Sequence, residues 1–141
     1  MIPRNRSSDR YPNFLGIDIY IGPINGPMPA WTGDFQTIAG YANLSWALGR
    51  RIQTTQGTLI YSPTYGSRIP PEVGAVQTAQ TAGHVTAFGV SALQADPRVA
   101  SVPNATTQIV SGGLVSFSAN VQPNGFQNAL VSVNAVLGPL P

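Results

Sequence analysis

Two alternating runs near the C-terminus constrain this chain most. Val115, Phe117, Ala119 and Val121 alternate with Ser116, Ser118 and Asn120, and Val131, Val133, Ala135 and Leu137 repeat the pattern. A period of two puts every second side chain on one face, so each run is a strand with one buried face. The turn-rich segment Gln122-Pro123-Asn124-Gly125-Phe126-Gln127-Asn128 between them makes the pair a hairpin. Parity then restricts the turn. A two-residue Asn124-Gly125 turn would set Phe117 opposite Ser132 and send one apolar set to solvent, so the connection must be of odd length or bulged.

Upstream the period changes. Leu15, Ile17, Ile19 and Ile21 alternate as a strand, and Gly22 to Gly33 is loop, rich in Pro and Gly. From about Thr37 to Arg51 the apolar residues Ile38, Tyr41, Leu44, Leu48 and Ile52 follow one helical stripe. Trp46 projects from the other side, with Arg50 one turn later. Trp46 is either covered within the domain or faces a partner as an aromatic-arginine pair, residue types enriched at interface hot spots. Thr58 to Tyr61 reads as a short strand closed by a turn at Ser62-Pro63. Glu72 to Leu93 reads as a second helix, but its apolar positions (Val73, Val76, Val85, Phe88, Val90, Leu93) surround the wheel and Gly83 and Gly89 weaken it. Such a helix must be supported on several sides or be broken. The expected fold is α+β: two helices packed on a small, mainly antiparallel sheet with a C-terminal β-hairpin. Residues 1–13 are a polar basic arm carrying Arg4, Arg6 and Arg10, and residues 14–141 are expected to form one domain.

Charged residues are 9% of the chain, against about 25% in ordinary soluble domains. Surface charge normally keeps a monomer soluble, so either polar uncharged residues suffice here or, the reading preferred, much of the surface is covered by partners. All seven basic residues are Arg, the cation better suited to interfacial pairing. The net charge of +2 is too small to argue for nucleic acid, and no apolar run reaches the roughly 20 residues of a membrane span. The basic start is not followed by an apolar segment, so no secretory signal is expected.

Candidate chemistry is sparse. A glycosidase needs two carboxyl groups flanking the scissile bond. The chain has only Asp9, Asp18, Asp34, Glu72 and Asp96. Glu72 opens a helix, where its charge suits the N-terminus regardless of function. Asp96 has Arg98 two residues away, which favours an ionised structural carboxylate over a raised-pKa acid. There is no cysteine for thiol chemistry, and His84, the only histidine, with scattered carboxylates is a weak ligand set for a transition metal. No serine sits in a Gly-x-Ser-x-Gly elbow, and Gly112-Gly113 precedes a strand, so it is no phosphate loop. The expectation is no catalytic residue, no metal and no cofactor.

The strings Leu48-x-Arg50-Arg51-Ile52-x-Thr54-Thr55-x-Gly57, Tyr61-x-Pro63-x-Tyr65-Gly66-Ser67 and Ala92-Leu93-x-x-Asp96-Pro97-Arg98-Val99-x-x-Val102, followed by the terminal hairpin, come in a distinctive order. In that order they resemble the baseplate-wedge and sheath-initiator family of contractile phage tails, the protein W or gene-25-like family. The resemblance runs from Leu15 to the end. It departs in having Asp96 where that family has Glu, one methylene shorter, and in a more polar second helix. It implies a structural virion protein of the inner baseplate, assembled in the host cytoplasm and present in several copies around the tail axis. The implied partners are other wedge proteins, the sheath subunit, and tube or hub proteins, with no nucleic acid and no membrane. With it, Arg50, Arg51, Asp96, Pro97 and Arg98 are expected as interaction or fold-setting residues, Arg98 foremost, beside Trp46 as the candidate contact on the helix. The alternative for Arg50-Arg51 is charge complementing the dipole at the helix C-terminus. The alternatives are an adaptor of a non-contractile tail and a peptidoglycan-cleaving lysozyme.

Overall fold

The computed structural model describes residues 15–22, 26–74, 78–110, 113–126 and 128–138. The expected arm at residues 1–13, part of the loop after Gly22, Val76 and Gly112 lie outside them. Among the described residues the fold is α+β, with three helices and two antiparallel sheets. The chain divides into two compact units after Leu44.

In the first unit, β1 (Ile17–Ile19) pairs with β2 (Thr37–Ala39), Asp18 standing opposite Ile38. Bridges Ile21↔Pro27 and Pro29↔Phe35 continue the ribbon into the loop. The helix expected from Thr37 therefore starts later. α1 (Gly40–Gln53) opens at Gly40, whose φ of +66° turns the chain out of the strand. Thr37 and Ile38 are β-branched, and a partner strand decides their state. Asn43 is buried, its Nδ2 donating to the Leu15 carbonyl at 3.1 Å. On α1, Leu44, Leu48 and Ile52 are fully buried, as their spacing predicts, while Tyr41 is exposed.

The second unit is built on the sheet β3-β4-β5, formed by β3 (Val99–Val110), β4 (Leu114–Pro123) and β5 (Val131–Leu137). The hairpin keeps the parity that its two alternating runs require. Phe117 faces Ala135 and Val121 faces Val131, so both apolar sets share the buried face. Asn124-Gly125 forms only a local turn, Phe126 N–H donating to Pro123 O at 3.3 Å, inside a longer connection. β3 has twelve residues against ten in β4, and two register shifts between Val99 and Asn104 absorb the excess.

The second helix is broken. α2 (Ile69–Glu72) ends at Val73, which is extended, and Gly74 follows with φ +98°. α3 (Ala79–Gln94) restarts at Thr78, whose hydroxyl accepts from Thr81 N–H at 3.3 Å. Its weak propensity is offset by packing on the sheet. A Cβ at Gly89 would overlap the Phe117 ring, so only glycine lets α3 approach this closely. Thr86 and Thr107 share a hydrogen bond at 2.7 Å from helix to strand. The second half of α1 lies along β5, where Ser45 donates to Ser132 O at 2.6 Å and a Cβ at Gly49 would stand 3.8 Å from Asn134 O.

The strand expected at Thr58–Tyr61 does not form. Bonds from Thr58 N to Thr55 O, Ser62 N to Leu59 O and Tyr65 N to Ser62 O make successive turns, and among the described residues no strand lies alongside. Among the described residues no helix is long and apolar enough to cross a membrane.

Candidate functional site

α1 ends with its last carbonyls satisfied by side chains from the segment that follows. Thr54 Oγ1 donates to Arg50 O at 2.8 Å and Ser67 Oγ to Ile52 O at 2.6 Å. Arg50 O also accepts the Thr54 backbone N–H at 3.0 Å, so the Thr-Thr-x-Gly string reinforces the last helical bond while the Ser67 hydroxyl of the Tyr-Gly-Ser string caps Ile52 O. The loop closes at its base through Gln56 N–H to Ser67 O at 2.9 Å and Ser67 N–H to Thr54 O at 2.8 Å. Gly66, at φ +109°, sits where a Cβ would stand 2.5 Å from Thr54 O.

The loop holds Tyr65 against Arg51, whose guanidinium carbon stands 4.5 Å from the ring centroid. Arg51 in turn reaches the turn after α3, where Asp96 is 4% exposed. Asp96 Oδ1 accepts from Arg98 backbone N–H at 2.9 Å and from Arg98 Nε at 3.0 Å, and Oδ2 accepts from Arg98 Nη2 at 2.8 Å. Arg51 Nη2 lies 3.8 Å from Oδ2. Burial by itself would raise the Asp96 pKa. The Arg98 side-chain and backbone hydrogen bonds, with the charges of Arg98 and Arg51, outweigh it and hold the carboxyl below its ordinary value. Asn124 locks the corner from the far side, its Nδ2 donating to Pro97 O at 2.7 Å and its N–H to Arg98 O at 2.8 Å.

Three of the six residues singled out in the sequence, Arg51, Asp96 and Arg98, thus form one cluster. Pro97, Trp46 and Arg50 are exposed, Trp46 at 37%. Asp96 is the ionised structural partner expected of it. Tyr65, Ser67 and Asn124 complete the arrangement; the sequence had placed Tyr65 and Ser67 only in the family-like string and Asn124 only in the hairpin turn. Asn124 offered no signal, since its partner Pro97 is 27 positions away.

The other carboxylates described are dispersed. Asp18 and Asp34 each accept the next residue's N–H, at 2.8 and 2.7 Å. Glu72 Oε2 lies 4.0 Å from His84 Nδ1. Among the described residues no three His, Cys, Asp or Glu side chains gather as a metal site.

Between the loop base and α3 runs a groove whose larger part encloses about 240 Å³ and whose smaller part about 80 Å³. Both are walled by Gln56, Ser67, Arg68 and Phe88, with the Arg68 guanidinium 5.0 Å over the Phe88 ring.

No family model and no curated protein matches the sequence. Among solved structures the chain is similar to the "putative tail lysozyme" from Geobacter sulfurreducens, at a TM-score of 0.59 and 16% identity, over 69% of this chain and 88% of that one. At this identity the likeness is one of fold.

Proposed function

We propose that this chain is a structural subunit of a phage tail baseplate, an inner wedge component on which sheath assembly starts, and that it is not an enzyme. Its fold is shared with a chain named for a tail, and its motifs follow the order of the baseplate-wedge family. The observation that carries the reading is the edge of β3. The other outer strand, β5, is flanked by α1, with Ser45 on the Ser132 carbonyl. Among the described residues no strand pairs with the outer side of β3. Proteins protect such edges with charge, proline or bulges. In β3 both register shifts and Pro103 fall before Asn104, whereas Asn104 to Val110 is regular and uncharged. That stretch can accept an extended segment of a neighbouring subunit, with backbone hydrogen bonds giving affinity.

The carboxylates support the non-enzymatic half. Asp96 is ionised and clamped by Arg98 and Arg51, the opposite of a general acid, whose pKa must be raised. Hydrogen exchange on the chain with and without the sheath subunit tests the proposal. Protection gained at residues 104–110 supports it, and protection only at β5 or nowhere overturns it. Clearing of a peptidoglycan suspension by the pure chain, lost on Asp96→Asn, would overturn the structural role.

A further inference from the structure

The loop between α1 and α2 carries a feature that the edge-strand reading leaves unused. Residues 54–67 leave and return at one point, fastened by the two backbone bonds between Thr54, Gln56 and Ser67. This is an Ω-loop, a class that is frequently functional. Its tip presents Leu59, Ile60 and Tyr61 at 43, 90 and 100% exposure. Single exposed apolar side chains are ordinary, but three in succession on a fastened tip form a patch.

The groove at the base of the same loop has the complementary form. Its larger part, about 240 Å³, has room for one large side chain. Phe88 and the guanidinium of Arg68 offer an aromatic face and a cation to a ring, and Pro71 adds an apolar wall. Gln56 and Glu72 supply oxygen acceptors for a phenol O–H. The tip does not fill its own groove, because Tyr61 is fully exposed while the loop's base forms the wall.

We propose that Tyr61, with Ile60 beside it, docks into the Arg68–Phe88 groove of a second copy of this chain. Tip and groove are different surfaces of one molecule, so the contact is heterologous. Each copy gives one tip and receives one, and repetition builds a ring or a filament. Charge favours a protein occupant over a bilayer. Insertion into anionic lipid draws on basic residues beside the apolar tip. Here residues 52–67 hold no charged side chain, so none stands beside the apolar tip in sequence, and Arg51 at the loop's foot is engaged by Asp96 and Tyr65. The contact is independent of the baseplate reading, since it needs this chain alone.

Sedimentation velocity of the purified chain over a concentration series tests it. The wild type is expected to show an average mass that rises with concentration. Tyr61→Asp and Arg68→Glu are each expected to stay monomeric, with unchanged circular dichroism. Mixed together, the two variants are expected to form a species of two chains and nothing larger, because one working tip and one working groove remain. If Arg68→Glu perturbs the fold, Gln56→Trp serves as the groove-filling variant. A monomeric wild type, self-association unaffected by Tyr61→Asp, or a mixture that stays monomeric overturns the proposal. Flotation of the wild type, but not of Tyr61→Asp, with phosphatidylglycerol vesicles assigns the tip to lipid and also overturns it.

Discussion

At the Asp96–Arg98 corner charge is turned inward, and at the Leu59–Tyr61 tip apolar side chains are turned outward. The corner is 4% exposed at Asp96 and spends its polar groups on one another, through Arg98, Arg51 and Asn124. The tip leaves Ile60 and Tyr61 almost wholly in solvent, while the base beneath it is fastened by backbone and side-chain bonds. Both arise from the same requirement, that the ends of α1 and α3 be closed. At the corner, closure takes up the charged side chains and the motif serves the fold; at the loop, closure is completed at the base by Thr54, Gln56 and Ser67, and the side chains of the tip are left to meet something else.

The sharpest way to break this comparison is to empty the corner. Removing one partner of a buried ion pair costs about 3–5 kcal/mol, and the partial exposure of Arg98 places Asp96→Asn near the lower end. Because the folded carboxyl lies below its ordinary value, its stabilisation is complete above the unfolded value of about 3.9 and is lost as pH falls through the lower folded value. Urea midpoints measured across that acid window should fall for the wild type more steeply than for Asp96→Asn. Parallel curves would show that the corner is not a stability element. The same geometry makes Arg98→Ala destabilising as well, since it removes two of the hydrogen bonds to Asp96.

Next in size is the fastening of the loop. Gly66→Ala combines a left-handed φ with a Cβ 2.5 Å from Thr54 O, and strain of this kind costs about 1–3 kcal/mol. Gly57→Ala has a similar φ of +90° but nothing within 4 Å of its Cβ. It should cost less, about 1 kcal/mol, from conformation alone. Equal losses in thermal melts of the two variants would mean that the loop base is not held as tightly as its hydrogen bonds indicate.

The legibility of these regions follows from what each depends on. The hairpin was readable because β4 and β5 keep an unbroken period of two and share one buried face. The Leu44, Leu48 and Ile52 part of the α1 stripe and the Asp96–Arg98 pairing were readable because spacing along the chain decides them, whereas Ile38 falls in β2 and Tyr41 is exposed. β3 was not, because its bulges move Val99 to the buried face opposite Pro123 while Ser101 faces Gln122, which erases alternation. Thr58 to Tyr61 has the composition of a strand but no partner strand among the described residues, and Thr37–Ile38 has a partner that local sequence does not name. Of the candidate site, the charges could be picked out. Their burial could not, because it depends on Tyr65 and Asn124 arriving from other elements.

A smaller effect is expected where the loop meets the helix end. Ser67→Ala removes the hydroxyl that caps Ile52 O, a buried hydrogen bond worth about 1 kcal/mol. Ser67→Thr keeps the hydroxyl but adds a methyl at a site that is 2% exposed, so it should restore only part of the loss. Full restoration in denaturant melts would show that the site has room to spare.

The smallest effect on stability belongs to the tip, and it separates the two regions most cleanly. Tyr61→Ser removes a ring that is 100% exposed, and surface substitutions away from structural features stay within about 0.5 kcal/mol. The same change should abolish the concentration dependence of the average mass. Asp96→Asn, studied where it remains folded, should leave that dependence in place, because the corner lies outside the groove lining. A loss of more than about 1 kcal/mol for Tyr61→Ser in denaturant melts of the monomer would mean that the ring packs within its own chain. The tip would then resemble the corner, closed on itself and serving the fold.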